Sequence, residues 1–364
     1  MESQSNSSVD ALCKEGSFRN ESTLSEEEVI EKYFYSTTDR YIITVFYPIL
    51  LTVGVFGNLA FLAVVAKIPS MRTLTNAYLA NLAICDTVFV ITMTNDVLGD
   101  YIRNAPLNTE SHSTNFGCIM KASIIYVTLF TSLCLLLNVT TERYLCICRP
   151  VQHRLVANKE RTLKLIIMSW VLGVLYSGLV VPRFSKLIKV CVLWPNSDSF
   201  ADMNSKLSLS CATIHPFFTA FSPIVQALPF VIALIFNTIM FSRIIKKLHE
   251  RISGEAMKSR NHVARLLIVT NVVFFLCWTP YFFVRINVAV LHLSDSRIGI
   301  KMTGTQLRTL LWLVRGLLVA NATTNPLIYS VTNPRYRQAF LQLFSRNYAS
   351  TEEKSRSTQQ TSKM

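Results

Sequence analysis

The chain is 364 residues long, 51% hydrophobic and only 16% charged, with a mean hydropathy of +0.35. An ordinary soluble domain carries about 25% charge. Here the apolar residues stand in long blocks almost free of charge, which excludes a large soluble core and indicates a multi-span membrane protein. The formal net charge of +14 would suit a nucleic-acid binder. The basic residues, however, cluster at the ends of the apolar blocks, the pattern of positive-inside topology, so no nucleic-acid partner is expected.

Residues 1–40 are polar and acidic, and no basic-then-apolar run opens the chain, so no cleavable signal peptide is expected and the first span would direct insertion. Asn6-Ser-Ser and Asn20-Glu-Ser are glycosylation acceptors, consistent with an extracellular tail. Asn138 and Asn321 also head sequons, but they fall inside spans and should stay unmodified. Span one covers about residues 41–66, with Gly57-Asn58 in its second half; a short basic turn leads to span two, about 74–99, which holds Asn81 and Asp86. After a polar loop, span three runs over residues 116–148 and ends in Glu142-Arg143-Tyr144. Cys118 and Arg143 mark its two ends; at ~1.5 Å per residue they stand roughly 37 Å apart, more than the ~30 Å hydrocarbon core.

A basic stretch from Arg149 to Lys164 precedes span four, about 163–181, with Trp170 central. The loop over residues 183–215 reads as two short strands, 187–193 and 206–212, forming a hairpin around a polar tip. Span five is about 216–245 and is expected to kink at Pro223 or Pro229. Span six is about 263–291 and contains Cys277-Trp278-Thr279-Pro280; span seven is about 305–331 and ends in Asn325-Pro326-Leu327-Ile328-Tyr329. Residues 332–345 form an amphipathic pattern, with Tyr336, Phe340, Leu341 and Phe344 on one stripe, as in a helix lying on the membrane interface. The tail, 346–364, is rich in Ser and Thr and reads as disordered. Basic residues load the segments after spans one, three and five and the tail, which places those segments in the cytoplasm and the N-terminus outside. The expected architecture is an all-α seven-transmembrane bundle over residues 41–331, with a short eighth helix and a β-hairpin in the second outer loop.

An ionisable residue at mid-membrane costs ~2.5–3.5 kcal/mol on insertion scales, so each needs a partner or a function. Asp86 can be a structural acid bonded to its neighbours, or it can join Asn58, Ser132, Asn321 and Asn325 in a polar core able to hold water and a sodium ion. Arg143 can snorkel to the headgroups, or it can pair with the adjacent Glu142 until another element draws it away.

This ordered set resembles the rhodopsin-like (class A) G-protein-coupled receptors. The resemblance is carried by Gly57-Asn58, Leu82-Ala83 with Asp86, Glu142-Arg143-Tyr144, Trp170, Cys277-Trp278-Thr279-Pro280, Asn325-Pro326-x-x-Tyr329 and the helix that follows, over roughly residues 41–345. It implies a plasma-membrane receptor and no enzyme, with no cofactor beyond an allosteric sodium ion. It also implies a bridge from Cys118 to the second outer loop, where Cys211 is the expected partner and Cys191 the alternative, itself able to pair with Cys13. An outer face is oxidising enough for such a bridge. The pattern departs from the family at Glu142, where Asp is commoner, and at Asn237, where many relatives carry a tyrosine that meets the moved arginine. No cysteine follows Cys277, so the tail lacks the acylation site of many relatives.

Amine receptors of this family carry an aspartate on the outer half of span three, and opsins a lysine on span seven; this chain has Ser123-Ile124-Ile125-Tyr126 and Arg315 there instead. The long hairpin loop, the acidic tail and the turn at Met71-Arg72-Thr73-Leu74 resemble receptors for peptides. Asp96, Asp100, Arg285 and Arg315 are expected at the outer vestibule. Asp96 and Arg315 can simply pair with each other; otherwise Arg285 takes a carboxylate or carbonyl of the peptide and Asp96 a basic side chain. Tyr126, Leu129, Trp278, Tyr281 and Phe282 would form the apolar floor, and Ile125 is also expected to bind the ligand.

The family mechanism implies an outward swing of span six about Pro280, with Glu142, Arg143, Tyr144, Val151, Asn237, Asn325, Pro326 and Tyr329 as switch and coupling residues for a heterotrimeric G protein. Receptor kinases and arrestin would act on the tail hydroxyls, and lipids would surround the spans. A receptor for a lipid or other small molecule is the alternative within the family. A seven-span transporter is the alternative outside it, but the internal repeats and broken charged helices of transporters are missing from the pattern.

Overall fold

The computed structural model describes residues 17–20, 25–104, 114–193, 206–249, 255–293, 300, 303–332 and 334–343. The expected sites at Asn6 and Cys13 and the hydroxyls of the tail lie outside the described residues, as do the side chains of Asn20, Cys191 and Tyr329.

Six described helices are long and apolar enough to cross a membrane: Thr37–Lys67, Leu74–Arg103, Asn115–Cys148, Lys159–Arg183, Phe217–Lys247 and Ile268–Leu291. They are spans one to six. The helix Gly304–Thr332 is span seven. It is less apolar because Asn321, Thr323 and Asn325 face inward and are buried. A spanning segment must satisfy its own backbone, so lipid leaves the helix as the economical form. The apolar residues around each rod face two ways, some into the core and others, such as Phe56, Leu175 and Leu276, outward.

Span three is the axle, touching spans two, four, five and six. Small residues set the closest approaches. A Cβ on Gly173 of span four would collide with Thr131 Oγ1 of span three. A Cβ on Gly57 would lie 2.8 Å from the Pro326 ring, and one on Gly54 2.6 Å from Thr323 Oγ1, so spans one and seven nearly touch. Polar pairs stitch other seams: Trp170 Nε1 donates to Asn81 Oδ1 at 3.1 Å, and Asn138 Nδ2 donates to Ser169 Oγ at 3.1 Å. The Asn138 amide is thus held inside the bundle, as expected of a sequon within a span.

Several elements differ from expectation at their edges. Span one begins earlier, at Thr37, and passes through a π-helical turn at Ile42–Phe46 before the regular helix Tyr47–Lys67. Pro223 and Pro229 both lie inside one continuous helix, Phe217–His249. The basic stretch after span three contains a short helix, Pro150–Val156, started by Pro150 in the first turn, where its missing N–H costs nothing. The acidic tail is also partly ordered: Ser25 caps a helix, Glu26–Tyr33, through a capping box with Glu28.

Strands β2 (Lys186–Leu193) and β3 (Lys206–Ala212) pair antiparallel, with Leu187 opposite Cys211. Strand β1 (Ser17–Asn20) adds to the free edge of β2 in parallel, Phe18 opposite Cys191. Residues 334–343 are helical, with Tyr336 buried and stacked against Phe61 at 5.6 Å.

The start of span one is tied to span seven through Asp39, which is fully buried. Arg308 Nε donates to its Oδ2 at 3.1 Å and Thr309 Oγ1 to its Oδ1 at 3.0 Å. Removing one partner of such a pair strands a buried charge, so Asp39→Ala should lower stability by about 3 kcal/mol, read by thermal unfolding of the purified protein. The Glu31 carboxyl is held below the usual glutamate range by hydrogen bonds from the Thr303 hydroxyl and the Thr305 N–H. A depressed carboxylate stabilises above its unfolded pKa, and that contribution is lost as pH falls through the folded value. Amide protection in Glu26–Tyr33, relative to intrinsic exchange at each pH, should therefore fall once pH drops below the ordinary glutamate pKa of about 4.3, and not on going from neutral to mildly acidic solution.

Candidate functional site

Spans three, four, five and six line a narrow apolar cavity of about 30 Å³, with Tyr126, Leu129, Gln226, Phe230, Trp278, Tyr281 and Phe282 among its walls. Aromatic spacing on span six builds it: Phe274, Trp278 and Phe282 recur every four residues, so they share one face. Phe230 of span five meets Phe282 at 4.4 Å and Trp278 at 6.3 Å between ring centroids. Tyr281 OH donates to Gln226 Oε1 at 3.2 Å, and Gln226 Nε2 to Ser222 Oγ at 2.6 Å, so the polar wall is already satisfied. The five residues expected at the apolar floor line this cavity, and Ile125 packs against the main core without lining it.

A second, polar pocket lies next to it, lined by Asp86, Ser132, Asn321 and Asn325 with Leu129, Phe274 and Trp278. Asn325 Nδ2 donates to Asp86 Oδ2 at 2.7 Å, both residues being buried. Asn58 stands apart from this pocket: its amide donates to Gly54 O and to Ala322 O at 3.1 Å, clamping span one to span seven. Leu129, Phe274 and Trp278 belong to both linings, so they form a common wall.

At the other end of span three, buried Glu142 receives the next segment. His153 Nε2 lies 2.8 Å from its Oε1 and Arg161 Nη1 3.8 Å from its Oε2. His153 comes from the short helix Pro150–Val156, where Val151 is exposed. Tyr144 packs beside Ile147, Phe241 and Ile244, joining spans three and five. Asn237 is buried on span five; its amide donates to Ala233 O at 2.9 Å, and its Oδ1 has no hydrogen-bond partner among the described residues. Pro280 and Pro326 lie inside their helices.

The outer charges are distributed differently from the sequence expectation. Asp96 is held by Lys121 of span three at 3.0 Å, and not by Arg315. Arg315 lies over the Trp312 ring, 5.5 Å from its centroid. Asp100 is buried. Arg285 sits over Tyr281 and Phe184 at 6.0 and 5.8 Å, and it faces an open cleft of about 320 Å³ with Arg183. Cys118 is bridged to Cys211, which fastens β3 to the outer end of span three. Sequence reasoning passed over Lys121, His153, Arg183 and Gln226. Of these, His153 had a local signal, since Arg149-Pro150 starts a helix that carries it back toward Glu142.

Glu142 is thus held by His153 and Arg161 and not by the adjacent Arg143, and a bundle with an apolar cavity toward one face, a buried polar pocket behind it and this buried acid at the other end is built as a membrane receptor. The family model of the seven-transmembrane receptors of the rhodopsin family matches residues 57–329, and the chain belongs to that family. It is similar to the neuromedin-U receptor 2 of Mus musculus, with 25% identity over 322 residues, covering 83% of this chain and 75% of the relative. The growth hormone secretagogue receptor type 1 of Sus scrofa is 27% identical over 301 residues, covering 81% of this chain and 78% of the relative. The protein is thus a multi-pass receptor of the plasma membrane.

The Cys118–Cys211 bridge closes a loop of sequence separation 93. Converting both cysteines to alanine should cost about 4 kcal/mol through the freer unfolded chain. Thermal unfolding with and without reductant checks it: reductant should lower the melting point of the native protein and leave that of the double variant in place.

Proposed function

We propose that the protein is a receptor for an extracellular peptide and that it activates heterotrimeric G proteins. The observation that carries this is the wall shared by the two cavities: Leu129, Phe274 and Trp278 line both the apolar cavity and the polar pocket around Asp86. A ligand group that presses on Trp278 must disturb the packing of the pocket behind it. That is the differential contact a two-state element needs. Span six then swings about Pro280, the inner ends of spans three, five and six part, and Arg143 lines the groove that takes the G protein. The peptide character is supported by the two relatives, one a neuromedin-U receptor and one a growth hormone secretagogue receptor, and by Arg285 at the mouth of the cavity.

In this arrangement the N-terminus is extracellular and glycosylated at Asn6 and Asn20, the β2–β3 hairpin lies over the outer mouth, and residues 334–343 lie on the cytoplasmic interface. The tail hydroxyls serve receptor kinases and arrestin. Asp86, Ser132, Asn321 and Asn325 offer a carboxylate, a hydroxyl and amide oxygens, hard donors that suit a small cation. A sodium ion there would neutralise Asp86 and favour the closed packing. Asp86→Asn should remove any sodium dependence of agonist affinity; persistence of that dependence would place the ion elsewhere.

Membranes carrying the receptor, challenged with a library of neuropeptides, should release GDP from a G protein faster with at least one peptide. Arg285→Ala should then lower potency about 100-fold, roughly 3 kcal/mol, with surface expression unchanged. Failure of every peptide, together with a ligand-driven flux of solute, would overturn the proposal in favour of a transporter.

A further inference from the structure

A second arginine stands beside the one that sequence reasoning placed at the cavity mouth. Arg183 closes the short turn after span four, immediately before Phe184. Its guanidinium carbon lies 5.5 Å from the centroid of the Phe184 ring, and that of Arg285 lies 5.8 Å from the same ring. Both side chains are half-buried and line one open cleft with Thr219, Pro223 and Val288. Neither has a carboxylate partner among the described residues, and Arg285 Nε has no hydrogen-bond acceptor.

Two like charges that share one ring and have lost part of their water repel each other. An anion between them would replace both losses. A carboxylate is the matching shape, since its two oxygens can accept from two guanidinium forks. The other side of the arrangement is apolar. Phe184 stacks on Tyr126 at 5.8 Å and 22°, and Tyr126 is part of the cavity lined by Trp278 and Phe230. The anion site and the apolar cavity are therefore one ring apart.

We infer that Arg183 and Arg285 form a two-arginine clamp for a carboxylate of the ligand, next to an apolar side chain that enters the cavity lined by Tyr126 and Trp278. The inference rests on the peptide-receptor proposal and narrows it. The docking end of the peptide carries a free carboxylate, from its C-terminus or from an acidic side chain, beside an apolar residue.

Three dipeptides test this on the full-length receptor in nanodiscs. N-acetyl-Ala-Phe with a free terminus offers a C-terminal carboxylate, N-acetyl-Asp-Phe-amide offers a side-chain carboxylate, and N-acetyl-Ala-Phe-amide offers none. At about 10 mM, at least one acid should raise the melting temperature by roughly 2–4 °C while the neutral dipeptide does not. Whichever acid acts identifies the source of the carboxylate. R183Q and R285Q should each abolish the shift, and R183K should restore part of it. Equal shifts from all three dipeptides, no shift from any, or a shift that survives R183Q overturns the clamp. The comparison of acid with amide on the native protein decides even where a variant gives no melting transition. A peptide that speeds GDP release while acid and amide behave alike would leave the receptor proposal standing and remove the clamp alone.

Discussion

Asp86 and Asn325 meet at 2.7 Å in the interior of the bundle, where both are buried. A carboxylate in that position cannot be left unpaired, because an unsatisfied charge in an apolar interior costs several kcal/mol. The need for a partner fixes span seven against span two at one height. The neighbouring contacts follow from that: Asn58 reaches Ala322 O, Gly57 admits Pro326, and Gly54 admits Thr323. Spans one, two and seven form a half of the bundle set by hydrogen bonds and close backbone approach. Such contacts have few alternative arrangements.

Spans five and six are joined in another way. Phe230, Phe274, Phe275, Trp278 and Phe282 meet as tilted and stacked rings with centroids 4.4–6.3 Å apart. Aromatic pairs keep most of their attraction over a range of offsets, so this seam can slide where the hydrogen-bonded half cannot. The apolar cavity opens in the yielding half and the polar pocket in the fixed half, with Trp278 on the boundary. The outer end is closed by covalent and ionic ties: the Cys118–Cys211 bridge, the β1 strand on the hairpin edge, and the buried Asp39–Arg308 pair. Motion at the ligand end is thereby confined to side chains and to the mouth between Arg183 and Arg285.

Much of this was legible in the chain itself. Seven apolar blocks, the inward polar residues Asp86 and Asn325, and the run Phe274, Trp278, Phe282 are periodic or positional signals, and they survive folding unchanged because lipid leaves the backbone little choice but helix. What the chain could not disclose were partners set by tertiary distance alone. Asp96 faces both Arg315 and Lys121 by sequence, and only the rotation of spans two, three and seven decides for Lys121. Arg183 looks like a span-end arginine snorkelling to the interface until Phe184 is seen to bring it beside Arg285. The acidic tail reads as unstructured by composition, yet the Ser25–Glu28 capping box and the Ser36–Asp39 pair are local signals strong enough to have been noticed.

The inner end carries the complementary feature. Glu142 is satisfied from the short helix Pro150–Val156 and from Arg161, so the acid of span three is bound to the segment joining spans three and four, well away from span six. On span five, Asn237 keeps one buried amide oxygen without a partner among the described residues. Buried acceptors are seldom left open in native structures, and one that is open needs a reason. The reason consistent with the rest of the bundle is a second arrangement in which a donor arrives. An asparagine has a shorter reach than a tyrosine, so under the proposed swing of span six Arg143 would have to travel further toward span five to donate to it.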